Sequence, residues 1–328
     1  MTFARMERMT SRLFWRALGL VALIVTAGTV YSQSYPSKPI RIITDDPGGN
    51  ADRASRTIAQ GITQSLGQPI IVENRTTIAA IETVMKALPD GYTLLYGAST
   101  FIYGPLVRKM FYHPTKDFVP VSMLTRQPSV VVVHPALPVG TIKELIVLAK
   151  AKPGDLIFAS IGVGSASHLA VALFTSMAGI NLLHVPYKGS GAASTDLLAG
   201  RVHLRINSAQ SVIPFVKSGK LKALAVTTAE PSVLVPWLPT VASAGLPGYH
   251  WESTNGIFAP RKTPPSIVNR LNQAMQRALS SSEIKEKYLA SGAETINDSA
   301  AAFGERLKSE VARLTRVIKE AGIKEADG

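Results

Sequence analysis

Apolar positions along the chain fall into two alternating patterns. Short apolar or β-branched runs, at residues 40–43 (interrupted by Arg41), 70–72, 93–96, 130–133, 156–158 and 224–227, have the length and composition of buried strands. Between them, and again in the C-terminal part, apolar residues recur every three or four positions: Ile58/Ile62/Leu66, Leu169/Leu173/Met177, Ile267/Leu271/Met275 and Phe303/Leu307/Val311/Leu314. That spacing places each set on one face of a helix. The alternation predicts an α/β protein with helices layered over mainly parallel sheets. No internal repeat or low-complexity linker breaks it.

Two proline-marked stretches are candidate boundaries. "VVVHPALPVG" at 131–140 carries the chain from one lobe to another, and "STNGIFAPRKTPP" at 253–265 carries it back. The expected division is lobe 1 over 33–134 and 255–328, and lobe 2 over 135–254. Such a discontinuous pair leaves a cleft, where ligands bind.

Three strand-glycine-helix units stand out. "TDDPGGNADRASR" (44–56) follows the first strand-like run, "SIGVGSASHLAVALF" (160–174) follows a later one, and in "HVPYKGSGAASTDLLAG" (184–200) Gly189 and Gly191 precede a short helix ended by Gly200. Backbone amides and the positive dipole end at a helix start form an anion site. In the second unit, amides near Gly164 and Ser165 and the hydroxyls of Ser160 and Ser165 are on offer. A single glycine turn is weak evidence, because turn chemistry alone calls for glycine. Asp45 and Asp46 at the mouth of the first unit look out of place in an anion site. Either they point to solvent or cap the helix, or Asp45 faces the cleft and selects a solute with a cationic or donor group beside its carboxylate.

Composition narrows the class. The 328 residues are 46% hydrophobic and 17% charged, which is globular. The first 32 residues combine Arg5, Arg8, Arg12 and Arg16 with an apolar run over 17–30 and read as a signal peptide cut near Ser32, the alternative being an uncleaved anchor. There is no cysteine, so disulfides, thiol chemistry and lipid attachment through cysteine are excluded. Removing the leader lowers the formal charge from +13 to +10. No run of Lys and Arg interleaved with aromatics points to nucleic acid, and a positive field suits anionic solutes.

Catalytic motifs are fragmentary. Gly162 and Gly164 begin a dinucleotide fingerprint, but Ser167 holds the third glycine position and no acidic residue follows where a ribose needs one. Ser165 and His168 share a helix face without a G-x-S-x-G elbow. The six histidines show no metal-ligand spacing. The expectation is therefore no catalytic residue, no metal and no cofactor.

The segments "YPSKPIRII", "PGGNAD", "LPDGYTLL", "KDFVPVSML", "SIGVGSASHLA", "HVPYKGSGAASTDLLAG", "LKALAVTTAE", "LPTVASAGLPGY" and "IFAPRKTPPSIVNRLNQ" occur in order between Tyr35 and Lys324. In this the chain resembles the solute-binding proteins of tripartite tricarboxylate transporters, the Bug family. The resemblance implies a two-lobed periplasmic-binding-protein architecture of type II, a Venus flytrap. It also implies a periplasmic, monomeric protein that captures a small organic acid and delivers it to a membrane permease. Carried over, Gly48, Gly49 and Asp52 shape the first loop; Ser160, Gly162, Gly164, Ser165 and His168 shape the second; Tyr187, Gly189 and Asn207 line the wall. Thr44, Asp45, Thr76 and Ser99 complete the expected ligand-binding set.

Departures from the family pattern bear on the ligand. Thr44, Asp45 and Asp46 replace a proline-rich turn with an aromatic, "NRTTIAA" at 74–80 replaces a longer glycine loop, and Asn207 stands where aspartate is frequent. The altered segment leaves room for a bulkier solute. Alternatives are a binding protein for an amino acid or nitrogen heterocycle, a secreted hydrolase or isomerase on the same scaffold, and a binding lobe that has lost its pocket.

Overall fold

The computed structural model describes residues 35–323. The expected leader and its cleavage point lie outside the described residues. The chain divides into an N-terminal unit, Met1–Ser37, and a compact unit, Lys38–Gly328.

Its first half is built from β1 (Ile40–Thr44), α1 (Asn50–Leu66), β2 (Ile70–Asn74), α2 (Thr77–Met85), β3 (Thr93–Gly97) and α3 (Ser99–Val107), followed by the long β4 (Phe118–Val133). Then come α4 (Ile142–Ala151), β5 (Ile157–Ser160), α5 (Ala166–Ala178), β6 (Leu183–Pro186), α6 (Ser190–Leu198), β7 (Leu204–Ser208), α7 (Ala209–Lys217) and β8 (Lys222–Val226). The chain returns through β9 (Glu252–Pro260), α8 (Pro265–Ser280), α9 (Ser282–Ala290), β10 (Glu294–Thr295) and α10 (Ala300–Glu320).

The sheet order is β2-β1-β3-β9-β4-β7-β5-β6, with β8 and β10 also paired to β4. β1 lies parallel to β2 and β3, and β5 parallel to β6 and β7, so the strand-helix-strand units produce parallel pairs. β4 and β9 run antiparallel to their neighbours and join the two groups. In β1, Ile40, Ile42 and Ile43 are all buried, as a strand covered on both faces requires.

β4 changes partners within its length. It pairs with β9 from Phe118↔Pro260 to Pro128↔Glu252, then with β7 from Ser129↔Ser208 onward. The change falls at Pro128 and Ser129, ahead of the proline-marked stretch at 131–140. Pro120 and Pro128 lie within the strand, and its register to β9 shifts between Pro120 and Ser122 and again between Met123 and Thr125. These irregularities bend the strand and re-aim its side chains.

Helix ends follow local chemistry. α1 buries Ala51, Ser55, Ile58, Ala59, Ile62 and Leu66 and stops at Gly67, whose left-handed φ of 68° lets its amide reach Thr63 O at 3.0 Å. Among the described residues, no helix is long and apolar enough to cross a membrane.

Candidate functional site

β1 ends at Thr44 and the chain turns through 45–49 into α1. Gly48 adopts φ +75°, and its amide donates to Asp52 Oδ2 at 2.9 Å. Asp52 also accepts from Asn74 Nδ2 at 3.0 Å and pairs with Arg56 Nε at 2.9 Å. Burial alone pushes the Asp52 carboxyl up, but the hydrogen bonds from Arg56, Gly48 and Asn74 outweigh it and hold it at about 2 against an ordinary 3.8. Asp52 thus ties the turn to β2 and the first helix. Gly49 is the N-cap of α1, and no side chain caps this helix, so neither Asp45 nor Asp46 does so.

A cavity of about 890 Å³ opens beside this turn. Asp45, Asp46, Gly49 and Asn50 line it from the β1–α1 side, and Tyr96, Ser99 and Thr100 from the β3–α3 side. β4 and β9 contribute Thr125, Gln127, Ser253 and Asn255, α9 brings Lys287 and Tyr288, and Ile161 reaches in from the turn after β5. The start of α3, with Ala98 as N-cap, also lacks a side-chain cap. The Ser99 hydroxyl is buried without a hydrogen-bond partner. Two helix starts with uncapped amides therefore border one cavity, a field that favours a carboxylate.

The second glycine turn behaves differently. Ser165 is the N-cap of α5 and its Oγ accepts from His168 N at 3.3 Å while donating to Gly162 O at 2.7 Å. Gly164 N donates to His168 Nδ1 at 3.0 Å, Gly162 N to Ser160 Oγ at 3.1 Å, and Ile161 N to Ser167 Oγ at 3.2 Å. The amides that the sequence offers to an anion are engaged within the turn. Gly164 and Ser165 do border a smaller cavity of about 220 Å³, shared with Ser99, Thr100 and Val107 of α3.

His168 is buried and stacks on His184 with ring centroids 4.1 Å apart, and His184 stacks on Phe158 at 4.6 Å. Burial, and then the neighbouring His184, push His168 down to about 4, so its ring is neutral near pH 7. The Ser165 hydroxyl does not pair with that ring. Ser160 Oγ lies 2.6 Å from His184 Nε2, but Ser160 is fully buried. Neither serine is both accessible and paired with a base, so Ser165 and His168 do not form a nucleophile–base pair. Among the described residues no group of three or more metal-ligating side chains comes together.

Of the expected ligand-binding set, Asp45, Gly49, Ser99, Gly164 and Ser165 border these cavities. Thr44, Gly48, Asp52, Thr76, Ser160, Gly162, His168, Tyr187, Gly189 and Asn207 line neither. Thr44 is buried with an unpartnered hydroxyl, and Thr76 is the exposed N-cap of α2. Tyr187 OH donates to Asp196 Oδ2 at 2.6 Å, Gly189 is the N-cap of α6, and Asn207 Nδ2 donates to Ser190 Oγ at 3.4 Å.

Sequence reasoning missed Tyr96, Thr125, Gln127, Asn255 and Tyr288. Tyr96 was identifiable as a strand residue, but its exposure to a cavity was not. Arg205 was also missed: it sits between Leu204 and Ile206 on β7 and reads as solvent-facing, yet it is buried under α6, donating to Ser194 Oγ at 2.7 Å and Ser190 O at 3.3 Å. Burial lowers it to about 10.

Similarity to known proteins converges on one family. Residues 54–323 match the family model described as "Tripartite tricarboxylate transporter family receptor". A UPF0065 protein encoded in the tcbD-tcbE intergenic region of Pseudomonas sp. (strain P51) is 36% identical over 318 residues, covering 93% of this chain and 94% of that one. Protein BugT of Bordetella pertussis is 34% identical over 320 residues, covering 94% and 98%. Among solved structures, R. palustris Rpa4515 with adipate is 34% identical with a TM-score of 0.69, covering 89% of this chain and 99% of that one. MatC from Rhodopseudomonas palustris with bound malate is 29% identical with a TM-score of 0.66, covering 87% and 100%. The fold is that of a periplasmic binding protein, and the chain belongs to the tripartite tricarboxylate transporter receptor family.

Proposed function

We propose that this chain is an extracytoplasmic receptor that captures a small organic acid in the 890 Å³ cavity and delivers it to the membrane permease of a tripartite transporter. The observation that carries the reading is the meeting of two uncapped helix starts, at Asn50 of α1 and Ser99 of α3, on that cavity. Their free amides and dipoles stabilise a carboxylate without requiring a full positive charge. Relatives that bind adipate and malate support the same chemistry.

In this reading the two parallel strand groups act as lobes, 33–134 with 255–328 forming one and 135–254 the other, and β4 and β9 serve as the strands between them. Asp45, Gly49 and Ser99 meet the solute from the first lobe, and Gly164 and Ser165 approach it across α3. Residues 1–32 direct export to the periplasm, and the mature protein begins near Gln33 and works as a monomer.

Thermal-shift and calorimetric screening of the purified protein with mono- and dicarboxylates, including adipate and malate, tests this. A ligand at a hundred times its dissociation constant adds about 2.7 kcal/mol of stability. The expected outcome is stabilisation by at least one carboxylate, with the solute recovered unchanged. Stabilisation by none, or chemical conversion of the solute, overturns the proposal. Mass spectrometry of protein from a secreting host should show a mature N-terminus near Gln33.

A further inference from the structure

We propose that the solute carries a protonated nitrogen as well as a carboxylate, and that Asp45 holds the nitrogen while the uncapped helix starts hold the carboxylate. The inference rests on the cavity being the solute site and goes further by naming the class: amino acids and related zwitterions.

The cavity's charged groups are unequal in their engagement. Arg53 donates to Gly48 O and Asn50 Oδ1, both at 2.5 Å. Arg56 is bound to Asp52 and to Asn74 Oδ1, and Lys287 to Glu283 and Gln60. Each cation that lines the cavity is thus tied to protein. Asp45 lines the same cavity, and among the described residues no cation or neighbouring side chain donates to its carboxylate. Burial, then the adjacent Asp46, push its carboxyl above the ordinary 3.8, as expected of a partly desolvated anion without a counter-charge.

An independent observation comes from β3. Tyr96 is only 7% exposed, lines the cavity, and its hydroxyl has no hydrogen-bond partner among the described residues. Its hydroxyl is pushed up by burial first and then by the negative charge of Asp45, which places the two groups within each other's field. On the neighbouring wall Asn255 is buried and gives its Nδ2 to Thr125 Oγ1 at 3.2 Å, leaving its carbonyl oxygen to accept. A carboxylate, a phenol oxygen and an amide oxygen on one cavity form an acceptor set for an ammonium group. A second carboxylate on the solute would meet Asp45 with like charge, which disfavours simple dicarboxylates.

The test is calorimetry on the native protein with matched solutes, glutamate against glutarate and aspartate against succinate, repeated with Asp45→Asn and Tyr96→Phe. The expected result is at least tenfold tighter binding of an amine-bearing member than of its partner. That preference should fall to near parity in Asp45→Asn and shrink in Tyr96→Phe. Both substitutions nearly preserve shape, and an unchanged melting temperature establishes that each variant folds. If glutarate or succinate binds the native protein as well as its amine counterpart, or Asp45→Asn keeps the preference, the zwitterion inference is overturned while the carboxylate receptor stands. If neither member of any pair binds and adipate and malate also fail, both readings fall.

Discussion

The imidazoles of His168 and His184 lie face to face, with centroids 4.1 Å apart and planes 13° from parallel. A stack this close accommodates a neutral ring far better than two imidazolium ions, and it pushes His168 down to about 4 together with burial, the larger cause. In the unfolded chain the same side chain titrates near 6.5. Between those values the unfolded state takes up a proton that the fold refuses. Stability is therefore fully present above pH 6.5 and falls by about 3 kcal/mol as the pH drops to about 4. Denaturant unfolding from pH 7.5 to 4.5 should show this decline. His168→Phe, which keeps an aromatic ring in the stack, should be less stable at pH 7 but shallower in its pH dependence.

Asp52 has the opposite relation to acid. Its carboxyl is held at about 2 by Arg56, the Gly48 amide and Asn74 against the effect of burial. Its contribution is present above the unfolded value near 3.8 and is lost as the pH falls toward 2, amounting to about 2 kcal/mol. Asp52→Asn should lose about that much at pH 7 in urea unfolding. It should also loosen the 45–49 turn, so that carboxylate affinity falls with it.

What the sequence conveyed follows from where side chains point. The run at 40–43 announced β1 because Ile40, Ile42 and Ile43 are buried while Arg41 reaches out to Glu73, and Leu169 and Leu173 announced α5 by their period. The central strands were harder. β4 holds Pro120 and Pro128, so only its end at 130–133 read as a strand, and β9, which begins with "ESTNG", read as a boundary. Their polar residues face the cavity: Thr125, Gln127, Ser253 and Asn255 are strand residues whose inward side is lined for a solute. The glycine turns were correctly placed at helix starts, but hydrogen-bond occupancy was not readable. Nothing in "SIGVGSASH" reveals that Gly164 N is taken by His168, whereas Ser99, in no glycine turn, begins an uncapped helix. Tyr288 reaches the site from a helix more than two hundred positions away, where its hydroxyl meets Ala54 O at 2.9 Å, and local pattern carries no trace of that.

Gly164 joins backbone conformation to packing. Its φ of +73° disfavours any side chain, and a Cβ there would stand 2.8 Å from Val107 Cγ2 on α3. Gly164→Ala should cost about 1–3 kcal/mol and weaken carboxylate binding by drawing the turn away from Ser99 and Thr100. Adding Val107→Ala removes the Cγ contacts but leaves the Val107 Cβ at 3.1 Å and the backbone strain. The double variant should therefore recover part of the affinity, and calorimetry on all four proteins measures the coupling.

Thr227 sits where both central strands meet the second strand group. Its amide donates to Ser129 O at 2.8 Å, and its carbonyl accepts from Trp251 N at 2.8 Å. Its fully buried hydroxyl accepts from Ser129 N at 3.2 Å and lies 2.7 Å from Trp251 O and 3.0 Å from Ser129 O. Ser129 is the residue at which β4 leaves β9 for β7, and Trp251 immediately precedes β9. One hydroxyl thus fixes the spacing of the two segments that connect the proposed lobes. Thr227→Val keeps the side-chain volume but removes the hydroxyl's donor and acceptor, leaving buried backbone groups without that partner. The expected loss is about 1–3 kcal/mol in equilibrium unfolding. Because the change lies outside both cavities, solute contacts are intact, and any effect on binding must come through the geometry of the crossing. Stopped-flow fluorescence with a carboxylate identified by screening should then show an altered closing rate at the site. An unchanged stability would mean that the Ser129 and Trp251 backbones hold the crossing by themselves.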